Sequence, residues 1–207
     1  MKAYVIAMES EASQVRPALK DGDRLYVAGV GKVNAAAATQ KAIDDGADEI
    51  VNCGVVGGLD ESMEIGDVYE VSKAVEYDFD LTALNGTRLG THNERTTPYF
   101  ECRTTGRFPA RILATGDRFT NDERDVRDSL GLGATLRDME GAAIAHVCER
   151  NGIKCRMLKA VSDVHGRGSM TDQYSENLGK ALASLKTAVS DFGLCGEYGS
   201  IWKRRKH

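Results

Sequence analysis

Apolar and polar positions along this chain change period many times, and each change marks an element. Lys2–Met8 is a short apolar run of strand type, and Ser10–Leu19 follows with helical spacing. Arg24–Val30 reads as a second strand. Gly31-Lys-Val-Asn-Ala-Ala-Ala-Ala38 opens a helix that runs to about Asp45, with an Ala-rich face suited to close packing. Glu49–Gly54 has the unbroken apolar character of a buried strand, and the glycines of Val55-Val-Gly-Gly58 predict a tight turn after it. Strands are expected at Asp67–Tyr77, Arg111–Thr115, Thr135–Met139 and Lys154–Ser162. Helices are expected at Asp122–Leu130, Gly141–Asn151 and Gln173–Phe192; in the last, Leu178, Leu182, Leu185 and Val189 recur at helical spacing. The alternation predicts an α/β fold, a three-layer α/β/α sandwich around a central mixed sheet. Asn85 to Pro109 breaks the rhythm with a polar stretch rich in Thr, Arg and Gly, long enough for a functional loop.

At 207 residues the chain is read as one domain, residues 1–193, followed by a tail, 194–207. A composition 42% hydrophobic and 28% charged is that of a soluble globular protein. The formal net charge of −4 argues against nucleic acid as a partner, and the basic run Lys203-Arg-Arg-Lys206 reads as a solvated terminus. No apolar run approaches the roughly 20 residues of a membrane helix, so no membrane partner is expected. The first apolar stretch passes directly into Glu9-Ser-Glu11, as a strand does and a signal peptide does not. Cys53, Cys102, Cys148, Cys155 and Cys195 are odd in number and form no CxxC. They fit reduced thiols of a cytoplasmic protein, not a disulfide framework or a zinc site.

Two acidic residues stand where open α/β sheets bind ligands, at the carboxyl ends of strands. Glu140 follows Arg137-Asp-Met139 at the mouth of an apolar helix, and Ser162-Asp163 closes the run Cys155–Val161. A carboxylate at such a place holds a ligand, donates a proton or caps a helix, and all three readings stay open from position alone. Gly29-Val-Gly31 lacks the third glycine of a dinucleotide fingerprint, having Asn34 there, which disfavours a Rossmann enzyme.

Four segments, in order and spanning nearly the whole chain, resemble the nucleoside phosphorylase and hydrolase superfamily, within it most the methylthioadenosine/S-adenosylhomocysteine nucleosidases. They are Ala7-Met-Glu-Ser-Glu11; Gly29-Val-Gly-Lys-Val33 with Asn52-Cys-Gly-Val-Val-Gly-Gly58; Thr115-Gly-Asp-Arg-Phe119; and Met139-Glu140 through Ser162-Asp163. The resemblance implies a phosphorylase/hydrolase-like fold and hydrolysis of a purine nucleoside with a modified 5′ position, with no cofactor and no metal. It implies that Asp163 protonates N7 of the base, Ser162 orients it, and Glu11 activates water, with Glu9 as a rival in the same segment. Glu140 would hold the ribose hydroxyls, Met139 would lie against the sugar, Phe119 would stack on the purine, and backbone groups of Thr120 would read its edge. Met8, Val30 and Tyr174 are candidates for the 5′ pocket, with Tyr99 or Phe100 of a neighbouring subunit in an expected homodimer.

Three positions depart from the resembled pattern. Val55 stands where relatives place a hydroxyl, and Lys159 where nucleosidases carry an arginine near the water; Asn52 replaces an arginine of some phosphorylases. An anion site is hard to build without hydroxyl or guanidinium, so the departures favour water over phosphate as acceptor. A phosphorylase of the same fold and a nucleoside-binding protein with reduced turnover are the alternatives.

Overall fold

A computed structural model describes residues 1–119 and 122–193 of the chain. The elements in chain order are β1 (Lys2–Ile6), α1 (Glu9–Val15), β2 (Arg24–Val27), α2 (Lys32–Asp44), β3 (Glu49–Gly58), β4 (Val68–Glu76), α3 (Thr82–Asn85), β5 (Phe100–Glu101), β6 (Ala110–Thr115), α4 (Glu123–Gly131), β7 (Leu136–Asp138), α5 (Gly141–Arg150), β8 (Lys154–Val164) and α6 (Met170–Gly193). A 3₁₀ turn, Arg16–Ala18, follows α1, because Pro17 cannot continue an α-helical hydrogen-bond ladder. The basic tail and Cys195 lie outside the described residues.

All eight strands belong to one mixed sheet in the order β2-β1-β3-β7-β6-β4-β5, with β8 paired to β3 and to β4. Pairings β3–β8, β8–β4, β4–β6, β6–β7 and β7–β3 therefore close a ring of five strands, while β1 pairs with the first residues of β3, Glu49–Asn52, and β2 pairs with β1. Helices cover both faces. Successive strand residues point to opposite sides: Val5 and Ile50 join Ala35 and Ala42 of α2 and Ala142 and Ile144 of α5 in one core. Their neighbours Tyr4 and Val51 join Ala12 and Val15 of α1 and Leu185 and Val189 of α6 in the other. The alanine face of α2 lies against α5, where small side chains allow close approach. Three layers around a mixed sheet are the architecture the alternating pattern predicts.

Three expectations are corrected. Val55–Gly58 is not a turn: β3 runs on to Gly58, its ladder with β8 continuing to Val164 with a shift between Val56 and Gly57. These glycines serve close approach instead of chain reversal. A Cβ on Gly54 would lie 2.8 Å from Glu11 Oε1, and one on Gly57 would lie 2.8 Å from Asp163 Oδ2. The second strand is shorter than expected and ends at Val27. The stretch from Asn85 to Pro109 is also not free loop throughout. It contributes β5 to the sheet, and Phe100 is fully buried in the core, so it is not available to a neighbour's pocket. Tyr99 donates its hydroxyl proton to Leu132 O at 2.8 Å within the same chain.

Candidate active site

The candidate site is assembled at strand ends. After β7 the chain runs Met139-Glu140 and enters α5 at Gly141; after β1 it runs Ala7-Met8 into α1; β3 and β8 supply their final turns of backbone. Between them lies a cavity of about 550 Å³. Of the residues singled out in the sequence, Met8, Glu11, Val30, Val55, Phe119, Met139, Glu140, Ser162 and Tyr174 line it. Asp163 stands immediately behind two lining residues, Gly57 and Ser162, and Lys159 is buried off the cavity wall. Thr120 lies outside the described residues.

Glu11 reaches the cavity from the first turn of α1. Its carboxylate accepts the N–H of Met8 at 3.2 Å, the reach-back contact of a helix N-terminus, and the N–H of Val55 at 2.9 Å. Burial pushes its pKa up, opposed by those two N–H groups and the charge of Lys159. Glu9, the rival, is exposed and paired with Arg16 at 2.8 Å.

Glu140 accepts the N–H of Gly31 at 2.8 Å, at the start of α2. Gly31 has φ of 101°, a backbone region that glycine adopts without strain. The next amide, that of Lys32, donates to Asp117 at 2.8 Å, so two carboxylates meet the positive end of α2. Burial first and the neighbouring Asp138 second push the Glu140 carboxyl up to about 7, against Lys159 and the Gly31 amide.

Asp163 is almost wholly buried. Ser162 donates its hydroxyl proton to Asp163 Oδ1 at 2.8 Å, while Oδ2 has no hydrogen-bond partner among the described residues. Burial raises its pKa, opposed by the Ser162 bond and the charge of Arg137. A buried carboxyl with one satisfied and one open oxygen is suited to carry a proton on the open one.

Asp138 was given no role in the sequence reading, yet it organises the site. It accepts from the Thr115 hydroxyl (2.6 Å), from the Lys159 ammonium (2.8 Å), and from the amides of Glu140 and Gly141 (3.2 and 3.0 Å). Thr115 Oγ1 in turn accepts the N–H of Ala142 at 2.9 Å. Lys159 is thus a structural cation: burial works against its charge, and Asp138 first, then Glu140, outweigh burial and raise its pKa. Arg137 also lines the cavity and was likewise unassigned. Both sit in the run Arg137-Asp-Met139 that precedes Glu140, but nothing local distinguishes them there.

Phe119 is 51% exposed at the cavity edge and meets Tyr174 edge-on, ring centroids 5.6 Å apart. The Tyr174 hydroxyl lies 3.7 Å from Met8 Sδ. Asn52 is buried outside the cavity, donating to Val5 O at 2.9 Å.

Fold and site together define an α/β protein with an apolar ligand cavity walled by buried carboxyl groups at strand ends. Comparison with known proteins gives the family. The family model described as the phosphorylase superfamily matches residues 21–192, and the chain belongs to that superfamily. A 5′-methylthioadenosine/S-adenosylhomocysteine nucleosidase of Bacillus velezensis is 30% identical over 204 residues, covering 82% of this chain and 88% of its own length. An aminodeoxyfutalosine nucleosidase of Campylobacter jejuni is 30% identical over 158 residues, covering 69% and 68%. A crystal structure of the methylthioadenosine/S-adenosylhomocysteine nucleosidase of Colwellia psychrerythraea in complex with adenine superimposes with a TM-score of 0.80 at 28% identity, covering 94% of this chain and 96% of that one.

Proposed function

We propose that this protein is a purine nucleosidase that hydrolyses the N-glycosidic bond of an adenosine-type nucleoside with a modified 5′ position, releasing free base. The observation that carries the reading is the set of three buried carboxyl groups, Glu11, Glu140 and Asp163, disposed around one apolar cavity in different hydrogen-bonding environments. The relatives named above are nucleosidases of such substrates, and they support the same reading.

The roles follow from those environments. Asp163 is the acid. Ser162 occupies Oδ1, burial favours the neutral form, and Oδ2 delivers its proton to N7 of the base as the C1′–N9 bond breaks. The bonding electrons leave with a neutral purine. Glu140 is the ribose ligand; its negative charge, once the substrate hydroxyls solvate it, stabilises the oxocarbenium-like sugar. Glu11 is the base. Burial raises its pKa, the two N–H donors and the Lys159 charge oppose that rise, and its anion takes a proton from water as the oxygen bonds to C1′. Phe119 stacks on the purine, and the exposure of its ring leaves that face open to a ligand. Met8, Val30 and Tyr174 bound the 5′ group, and Met139 lies against the sugar.

Water is favoured over phosphate as acceptor. Val55 and Val56 put no hydroxyl on the cavity wall, Lys159 is engaged by Asp138, and the charge of Arg137 acts on Asp163. We further assign the protein to the cytoplasm, in purine and methionine salvage, as a homodimer. Among the described residues no helix is long and apolar enough to cross a membrane.

The test is incubation of the purified protein with methylthioadenosine, S-adenosylhomocysteine and unmodified purine nucleosides, with and without phosphate. Base release independent of phosphate, with free sugar as co-product, supports hydrolysis. Sugar 1-phosphate formed only in phosphate overturns it in favour of a phosphorylase, and tight binding without base release favours a binding protein.

A further inference from the structure

A second cluster of chemistry-bearing side chains lies outside the cavity, where the end of β4, the chain between α3 and β5, and the middle of α5 meet. Glu76, His92 and His146 place their ligand atoms within 4.8 Å of one another. His92 Nε2 is 3.4 Å and His146 Nδ1 is 3.7 Å from the same oxygen, Glu76 Oε1. A tetrahedral ion with bonds of roughly 2.0–2.1 Å needs ligand atoms about 3.3–3.4 Å apart, so this face is already near the required size. We propose that Glu76, His92 and His146 form a binding site for a divalent transition metal ion, distinct from the nucleoside cavity.

Three observations favour a ligand over a satisfied internal network. His92 Nε2 is buried and has no aligned hydrogen-bond partner among the described residues. Both rings are held in place by aromatic stacking: His92 lies on Phe79 at a centroid distance of 3.9 Å and 11°, and His146 on Phe100 at 4.5 Å and 22°. The two nitrogens thus converge without help from the solvent, which lowers the ordering cost of binding. Finally, the nearest cation is already matched. Lys32 Nζ contacts the other oxygen, Glu76 Oε2, at 3.2 Å, and is held more closely by Asp78 at 2.6 Å. Oε1 is left facing the imidazoles. Two imidazoles and a carboxylate suit zinc, cobalt, nickel or iron(II), and not calcium or magnesium, which take oxygen ligands. The three ligands come from separate elements and share no local motif.

The experiment uses the full chain, stripped with a chelator and titrated with zinc chloride at neutral pH by calorimetry, and with cobalt(II) by visible absorption. The expected result is one ion per chain. Cobalt should give the intense visible bands of a four-coordinate site without sulfur-to-metal charge transfer, and zinc should raise Tm. His92→Gln, His146→Gln and Glu76→Gln should each weaken binding by about 100-fold or more. Circular dichroism checks that each variant is folded. The wild-type cobalt spectrum distinguishes the site even if a variant fails to fold. Absence of saturable binding overturns the proposal. So does unchanged binding in a His92→Gln/His146→Gln variant, or a sulfur charge-transfer band, which would place the ion at the neighbouring thiols of Cys102, Cys148 and Cys155.

Discussion

Replacing Glu140 with Gln separates the energetic cost of a buried charge from its use in catalysis. Glu140 is 8% exposed and faces Asp138, and its carboxyl rises from 4.5 to about 7. Such a group binds its proton more tightly in the folded chain than in the unfolded one. Its contribution to stability is therefore full below about pH 4.5 and is lost as pH rises through about 7. The displacement corresponds to about 3 kcal/mol, or about 6–12 °C of Tm in a domain of this size. Gln keeps the shape and can still accept the Gly31 amide, but it has no charge to desolvate. The Tm of Glu140→Gln should therefore match or trail wild type near pH 4.5 and exceed it by several degrees near pH 8.5. Base release should fall about 10²–10³-fold, because the lost charge acts where positive charge develops on the sugar. Thermal denaturation across that pH range and a chromatographic assay for free base read the two effects. Parallel Tm–pH curves for wild type and variant would refute the buried-charge argument, and wild-type turnover would remove Glu140 from the ribose site. Substrates lacking the 2′-hydroxyl sharpen the second arm: wild type should discriminate against them more strongly than the variant does.

The parts of this molecule legible in sequence are those whose cause is local. α6 shows its apolar stripe over about three turns, from Leu178 to Val189, and Glu140 and Asp163 follow directly on runs that read as buried strands, so their place at strand ends can be read from the chain. What was missed depends on partners far apart in sequence. Gly54 read as the close of a strand and Gly57 as a turn residue, because glycine most often punctuates. Their actual reason, room for the carboxyls of Glu11 and Asp163, exists only once α1 and β8 are packed beside β3. Lys159 read as a cation near the attacking water, since it stands where the resembled nucleosidases carry an arginine. Its partner Asp138 sits on β7, which reaches Lys159 only through the closed ring of strands. Asp138 itself looks like one more polar residue of the short strand Thr135–Met139, and its grip on Thr115, Lys159 and the start of α5 is a property of the fold alone.

Asp163→Asn should lower turnover about 10²–10⁴-fold on a substrate with an ordinary purine leaving group, while leaving binding largely intact by calorimetry; near-wild-type turnover sinks the assignment. Val55→Ser should raise turnover by about two- to tenfold, since one well-placed hydrogen bond can hold the attacking water; steady-state kinetics without phosphate decides it. Light scattering of an active preparation at micromolar concentration should show a dimer, and monomer alone would refute the shared interface. Last, Gly57→Ala should reproduce the Asp163→Asn defect without touching the carboxyl chemically. Gly57 is paired with Asp163 across the β3–β8 ladder, and an added Cβ would lie 2.8 Å from Oδ2, closer than such contacts allow. The glycine does not have positive φ, so alanine strains only the carboxyl. The folded state should lose about 1–3 kcal/mol, the cost of local overpacking, while turnover falls far more because the proton-bearing oxygen is displaced. Gly131→Ala, where an added Cβ meets nothing within 4 Å, is the control and should leave turnover unchanged. If the mechanism is right, the two defects are one defect: Gly57→Ala combined with Asp163→Asn should be no slower than Asp163→Asn alone. Additive losses in that double variant, or full activity in Gly57→Ala, would mean that Asp163 Oδ2 is not where the proton leaves.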